Sequence, residues 1–212
     1  MRFRDRIDAG KQLSAKLTQK LKSYAGQPVV VYALPRGGVP VAAEVARALS
    51  APLDLVIPRK VGHPLSPEYA IAAVTEAGKA IENESEVAMI DPVWYRRAVR
   101  NERAEAKRRR EAYLGKRKPV SPRGKVAILV DDGIATSLTM RAAVADLQTR
   151  GPNAIVIAVP VAPADAVANL AAAVQDVVVC EQPIQFLGSI GAYYDKFDQT
   201  TDKEVVRLLT PT

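Results

Sequence analysis

Lys125-Val126-Ala127-Ile128-Leu129-Val130-Asp131-Asp132-Gly133-Ile134-Ala135-Thr136-Ser137-Leu138-Thr139 is an apolar run that ends in two adjacent carboxylates and continues into a hydroxyl-rich turn. The stretch from Lys125 to Val130 lacks polar alternation, so it reads as a strand covered on both faces. Thr139 to Arg150 reads as the helix that follows. The acidic pair and the hydroxyls therefore stand at the carboxyl end of a buried strand, where open parallel sheets bind ligands and where helix N-termini favour anions.

Working outward, the same strand-then-helix alternation recurs. Pro28 to Leu34 is a β-branched apolar run closed by Pro35-Arg36-Gly37-Gly38, and Val39 to Leu49 reads as a helix. Leu53 to Ile57 is a further strand, and Pro58 to Pro67 is rich enough in Pro and Gly to predict a long loop. Beyond it, Tyr69 to Val74, Lys79 to Ile81 and Val87 to Ile90 predict a small β-meander. Asp91-Pro92 supplies an N-cap and a first-turn proline for a helix reaching about Leu114, just before Gly115. After the central strand come Ala154 to Val159 as strand, Ala164 to Ala173 as helix and Val177 to Cys180 as strand. At the start, Ile7, Leu13, Leu17 and Leu21 recur at helical spacing between Asp5 and Ser23. The pattern predicts one α/β domain over residues 1–212, with a mostly parallel twisted sheet and helices on both faces.

Two neighbouring carboxylates would repel a purely anionic ligand. The conflict disappears if the ligand carries both sugar hydroxyls and phosphate. Asp131 and Asp132 then accept from hydroxyls, directly or through a metal, while the loop amides and the Thr136, Ser137 and Thr139 hydroxyls hold the phosphate. A phosphoribosyl donor fits that description.

Ile128 to Thr139 resembles the donor signature of the type I phosphoribosyltransferases. Pro35-Arg36-Gly37-Gly38 resembles that family's pyrophosphate-binding loop, and Arg59-Lys60 resembles the start of its mobile catalytic loop, in the same chain order. The likeness covers about residues 28 to 160. The opening Arg4-Asp5-Arg6 to Ala9-Gly10 and the closing Tyr193 to Val205 are similar to a little-characterised bacterial branch of the family.

The resemblance implies transfer of phosphoribose from 5-phosphoribosyl 1-diphosphate to a nitrogen nucleophile, with release of pyrophosphate and with Mg²⁺ as cofactor. Arg36, with Arg59 or Lys60, would stabilise the departing charge. Pro35, Gly37, Gly38 and the run Asp131, Asp132, Gly133, Ile134, Ala135, Thr136, Ser137, Leu138 and Thr139 would bind the donor, the two aspartates meeting the metal indirectly or through the substrate. It also implies a core over about 28–180 and an acceptor pocket in a C-terminal hood, 181–212, joined by the N-terminal segment. Phe186, Tyr193, Tyr194 and Phe197 gather in that hood, either to stack on a base or to anchor the terminus.

Two positions depart from the family pattern. Ser137 stands where many members have Gly, which would be strained if the loop needed a positive φ. Ala135 stands where 6-oxopurine enzymes carry an acidic residue, which points away from a hypoxanthine or guanine acceptor. No general base is assigned; Glu68 and His63 are the candidates, and a loop histidine is more often a turn residue.

Composition narrows the setting. The single cysteine, Cys180, has no intramolecular partner, the start is charged rather than apolar, and polar residues interrupt every apolar stretch of bilayer length. A cytoplasmic protein without a membrane span is expected, working on small molecules as a homodimer. The net charge of +7 lies within Asp91 to Lys118, which carries 11 Lys and Arg against 4 Asp and Glu, while the rest of the chain balances. An alternative follows from that helix: a non-catalytic, donor-sensing regulator binding RNA through Arg96, Arg97, Arg100, Arg103, Lys107, Arg108, Arg109 and Arg110. Interleaved Glu102, Glu105 and Glu111 weaken it, and nucleic acid is not the expected partner. A receiver domain is excluded because too little chain follows Asp132, and neither a Gly-x-x-x-x-Gly-Lys-Ser/Thr nor a Gly-x-Gly-x-x-Gly motif occurs.

Overall fold

Alternation along the central strands decides the layering. In a computed structural model that describes residues 2–210, β1 (Val29–Ala33), β2 (Leu53–Leu55), β6 (Val126–Val130), β7 (Ala154–Val161) and β8 (Asp176–Glu181) form one parallel sheet in the order β2-β1-β6-β7-β8. Val31, Ile128 and Val156 point to one face, against Leu13 and Leu17 of α1 (Arg6–Lys20), Val41 and Val45 of α2 (Gly38–Ala48), and Val205 and Leu209 of α7 (Asp202–Leu209). Tyr32, Leu129 and Ile157 point to the other, against Met140, Val144 and Leu147 of α5 (Leu138–Gln148) and Leu170 of α6 (Ala164–Ala171). The period-two side-chain alternation thus fills two hydrophobic layers from one sheet. This is the α/β arrangement that the sequence predicts.

The opening helix differs from its predicted face. Asp5 caps α1 by accepting from the Asp8 amide at 2.8 Å. Ile7, read as an apolar anchor, is exposed, and the buried face is Ala9, Gly10, Leu13, Ser14 and Leu17. Gly10 is where α1 meets α2: a Cβ there would come within 2.8 Å of Glu44 Cβ and 2.9 Å of the Val41 carbonyl.

The region from 58 to 90 is the main correction. The predicted long loop is a hairpin, β3 (Arg59–His63) and β4 (Ser66–Val74), joined by β5 (Ile81–Glu82) into a separate three-stranded antiparallel sheet. Its register shifts at Gly62, where a Cβ would overlap the Pro67 backbone, so glycine and proline here build a bulged hairpin instead of breaking one. Val87 to Ile90, predicted as a strand, instead follows from the short α3 (Glu84–Val87), and Val87 and Ile90 pack by helical spacing onto Val61 and Ile71.

The basic helix is α4 (Pro92–Leu114), capped by Asp91 Oδ1 accepting from the Val93 amide at 2.9 Å. It is docked by Arg110, which is 8 % exposed and donates to both Asp54 carboxylate oxygens at 2.8 and 3.0 Å and to the Leu55 carbonyl at 2.8 Å. Among the described residues no helix is long and apolar enough to cross a membrane.

Candidate active site

Three strand ends meet at one edge of the parallel sheet. The Leu34 amide, just past β1, donates to the Val130 carbonyl at the end of β6, and the Ile134 amide donates to the Val161 carbonyl at the end of β7, both at 2.9 Å. Parallel pairing in register, Ala33 beside Val130 and Val130 beside Ala158, forces the two sequence-predicted loops together.

The contact between those loops is close. A Cβ on Gly37 would overlap the Asp132 carboxylate, and one on Gly38 would lie 2.9 Å from Asp131 Cα and from its Oδ1. Only glycine lets the 35–38 turn lie on the acidic pair. The Pro35–Arg36 peptide bond is cis. Gly133 is confined in the same way, its missing Cβ position being 2.7 Å from Ile190 and 2.9 Å from Val161.

Asp132 is buried and Asp131 half-buried. Burial pushes both carboxyls above the usual range, Asp131 far more, because Asp132 lies beside it while Arg6 restrains the rise at Asp132. Arg6 Nε donates to Asp132 Oδ2 at 2.8 Å, with both side chains close to nine-tenths buried. The same guanidinium donates to the Asp198 carbonyl at 2.7 Å and lies 3.8 Å above the Phe197 ring. Sequence reasoning misses Arg6 as a site residue. Its partner is 126 positions away, and the only pointer is the likeness of Arg4-Asp5-Arg6 to one branch of a family.

The hydroxyl turn is unstrained. Ser137 has φ −80° and ψ −9°, so the anticipated conflict with a positive φ does not arise. Ala135 and Thr136 are exposed, Ser137, Leu138 and Thr139 are half-buried, and α5 starts at Leu138 with its first amides unpaired within the helix.

A cavity of about 520 Å³ opens between this loop and the C-terminal segment, lined among others by Arg6, Arg36, Asp132, Ala135, Ile190 and Phe197. Arg36 Nη1 reaches Asp202 Oδ1 at 3.5 Å, and Tyr113 donates to the same oxygen at 2.8 Å. Those two contacts hold the exposed Asp202 carboxyl below its usual range. A second cavity, about 810 Å³, lies on the other side of the loop and is lined by Lys60, Glu68, Thr136 and Arg141. Lys60 therefore shares a cavity with the phosphate-type turn, whereas Arg59 Nε is engaged by Glu102 of α4 at 2.8 Å. Glu68 stays on that second cavity, and His63 is a turn residue whose Nδ1 accepts from the Leu65 amide at 3.1 Å.

The four C-terminal aromatics serve mainly as an anchor. Tyr193 and Tyr194 are buried, Phe3 packs on Tyr194 at 5.4 Å, and Phe186 stacks on Tyr193 at 5.6 Å. Tyr194 also donates to the Asp132 carbonyl at 2.6 Å, tying the terminal segment to the acidic loop. Phe3 and Tyr193 to Asp195 exchange backbone hydrogen bonds, which stitches the N-terminus to the same segment. Phe197 alone of the four lines the 520 Å³ cavity.

Among the described residues, no group of three or more His, Cys, Asp or Glu side chains gathers as a metal site. On the basic helix, Arg110 is a buried structural residue, and Arg108 and Arg109 are paired with Glu105, holding its carboxyl down at about 2.

Comparison with known proteins follows the same geometry. The model of the phosphoribosyl transferase domain matches residues 4–195. The chain is 41% identical over 209 residues to a protein of Mycobacterium tuberculosis, in strains H37Rv and CDC 1551, provisionally named a phosphoribosyl transferase. That match takes in 98% of this chain and 46% of the relative, so the chain spans about half the length of the curated relatives it matches. It is 40% identical to TT1426 from Thermus thermophilus, whose crystal structure superposes with a TM-score of 0.81 over 99% of this chain and 98% of that one. AQ2163 from Aquifex aeolicus shares the fold alone, at 9% identity and a TM-score of 0.53 over 97% of this chain and 86% of that one.

Proposed function

Because the chain belongs to the phosphoribosyl transferase family, we propose that it binds 5-phosphoribosyl 1-diphosphate across the two touching loops and transfers phosphoribose to a nitrogen nucleophile. The observation that carries this is the packing of Gly37 and Gly38 against Asp131 and Asp132 beside the start of α5. One face of the ligand would meet carboxylates suited to sugar hydroxyls, and its two ends would meet amides suited to phosphates.

In this reading the Thr136, Ser137 and Thr139 hydroxyls and the first amides of α5 hold the 5-phosphate. Arg36 and the Gly37 and Gly38 amides hold the pyrophosphate, and Lys60 approaches from the hairpin side. Arg6 opposes the upward shift that burial gives Asp132 and fixes the carboxylate in direction, so that it accepts from a ribose hydroxyl. The bond from the anomeric carbon to the pyrophosphate oxygen breaks with its electron pair leaving on pyrophosphate, and a carbon–nitrogen bond forms from the acceptor's lone pair. The acceptor nitrogen then loses its proton to solvent water. Preorganised cations and amides around the leaving group supply the stabilisation.

Mg²⁺ fits this donor set only as an ion shared with the ligand. The protein offers one carboxylate pair, of which Asp132 is already held by Arg6. When bound, the ion would neutralise pyrophosphate charge while keeping most of its waters. The acceptor, proposed to be a nucleobase, would enter the 520 Å³ cavity, a size common for small-molecule sites. The reading treats the chain as one phosphoribosyltransferase unit acting in the cytoplasm, consistent with a single half-buried Cys180.

Pyrophosphate release provides the test. The protein, donor and Mg²⁺ are incubated with single nucleobases, and one base is expected to give stoichiometric pyrophosphate and the matching nucleotide by mass. Release from no base, with donor bound, would refute transfer to a nucleobase.

A further inference from the structure

Arg36 leans on an element that the proposed chemistry leaves unused. Its Nη1 lies 3.5 Å from Asp202 Oδ1, and among the described residues this is the only hydrogen bond or ion pair of the Arg36 side chain. A guanidinium presents five N–H donors in a planar fork, so one contact leaves donors over, and the side chain still lines the 520 Å³ cavity. Asp202 is itself held in place. Tyr113 donates to the same oxygen at 2.8 Å, and Thr201 caps α7 by accepting from the Glu204 amide at 3.2 Å. Val205 and Leu209 bury that helix against the sheet. Tyr113 is buried too, and it stands about one turn beyond Arg110, the residue that docks α4. The Tyr113 hydrogen bond, then Arg36 and Arg109, keep the Asp202 carboxyl below its usual range, so it is charged at neutral pH.

We propose that Asp202, fixed by Tyr113, is a positioning residue that braces Arg36 for the pyrophosphate half of the donor. The inference rests on the donor reading above and adds to it two residues, from α7 and α4, that lie outside both donor loops. A free arginine side chain has many rotamers, and a ligand that needs one of them must freeze the rest. A brace makes part of that loss before the ligand arrives. The Asp202 side chain is 67 % exposed, so the pair adds little to folding, and its repulsion of an incoming anion is screened by water. Its effect therefore falls on the direction of Arg36. A carboxylate that merely competed with pyrophosphate for Arg36 would act with the opposite sign, because its removal would tighten the binding of an anion.

Calorimetric titration of the full chain with pyrophosphate and Mg²⁺, and separately with ribose 5-phosphate, tests the assignment. Asp202→Asn keeps an oxygen for Tyr113 and removes the charge. It is expected to weaken pyrophosphate binding about tenfold while ribose 5-phosphate binds as in the wild type, which also shows that the variant is folded. Asp202→Glu is expected to recover most of the loss. Tyr113→Phe keeps the packing of the ring but frees the carboxylate, and a loss of about threefold is expected. Because Asp202 acts through Arg36, Arg36→Gln/Asp202→Asn is expected to bind pyrophosphate no more weakly than Arg36→Gln alone. In a wild type that binds both ligands, unchanged or tighter pyrophosphate binding by Asp202→Asn would overturn the inference, and so would losses that add in the double variant. A wild type that binds neither ligand would remove the donor reading and this inference together.

Discussion

Asp131 shows what the site costs the fold. Its carboxyl is pushed well above the ordinary value near 3.8 by burial and then by Asp132, so the folded chain binds a proton there more readily than the unfolded chain does. Stability contributed by this group is therefore complete at low pH and falls as pH rises from about 4 through the folded-state value. Asp131→Asn removes that penalty while still offering an oxygen to the Asp132 amide, which now donates to Asp131 Oδ1 at 2.8 Å. The variant is expected to be more stable than wild type at pH 7 by about 1 kcal/mol, or roughly 2–4 °C in melting temperature, with the gap closing toward pH 4. Thermal melts across pH read this, and a gap that does not change with pH would contradict the assignment. Arg6→Gln works in the opposite direction. It leaves Asp132 buried without its cation, and an expected loss of about 3 kcal/mol at neutral pH should shrink in acid as Asp132 takes up a proton. Gly37→Ala places a methyl against the Asp132 carboxylate. Its expected signature is a donor affinity lowered about tenfold, by calorimetry, in a chain that still folds.

Some elements are docked by apolar contact alone, and others add a buried ion pair to it. α4 is held by both, on one side through Trp94, Tyr95 and Ala98 and on the other through Arg110 and the fully buried Asp54, whose Oδ2 also accepts from the Val120 amide at 2.7 Å. Asp54→Ala strands Arg110 below the sheet and is expected to cost about 3–5 kcal/mol in chemical denaturation, whereas Arg100→Ala on the exposed side should stay within about 0.5 kcal/mol. The same division explains what the sequence makes legible. β1, β6 and β7 are buried on both faces and announce themselves as apolar runs, and Asp91-Pro92 marks the start of α4 to the residue. The hairpin is hidden because Gly62, Pro64 and Pro67 read locally as breakers, while in space they form a bulge and a turn. Val87 and Ile90 are too short a run to separate strand from helix by periodicity. The two loops of the site are readable because each is contiguous in the chain. Arg6 is not, since its role exists only once Phe3 and Tyr193 bring the two ends of the chain together.

Across the whole molecule, the parallel sheet gathers 35–38, 131–139 and the joined termini at one edge, while the excess positive charge sits on α4. The donor loops and the basic helix thus lie on separate elements. The central claim is that the sheet edge takes 5-phosphoribosyl 1-diphosphate. Calorimetric titration of this compound, with and without Mg²⁺, into wild type and into Asp131→Asn/Asp132→Asn tests it most directly. Saturable, Mg²⁺-enhanced binding is expected in the wild type, weakened about 100-fold or more in the variant, which loses two charge-assisted hydrogen-bond acceptors. No binding to the wild type in either condition, or equal binding by the folded variant, would contradict the account.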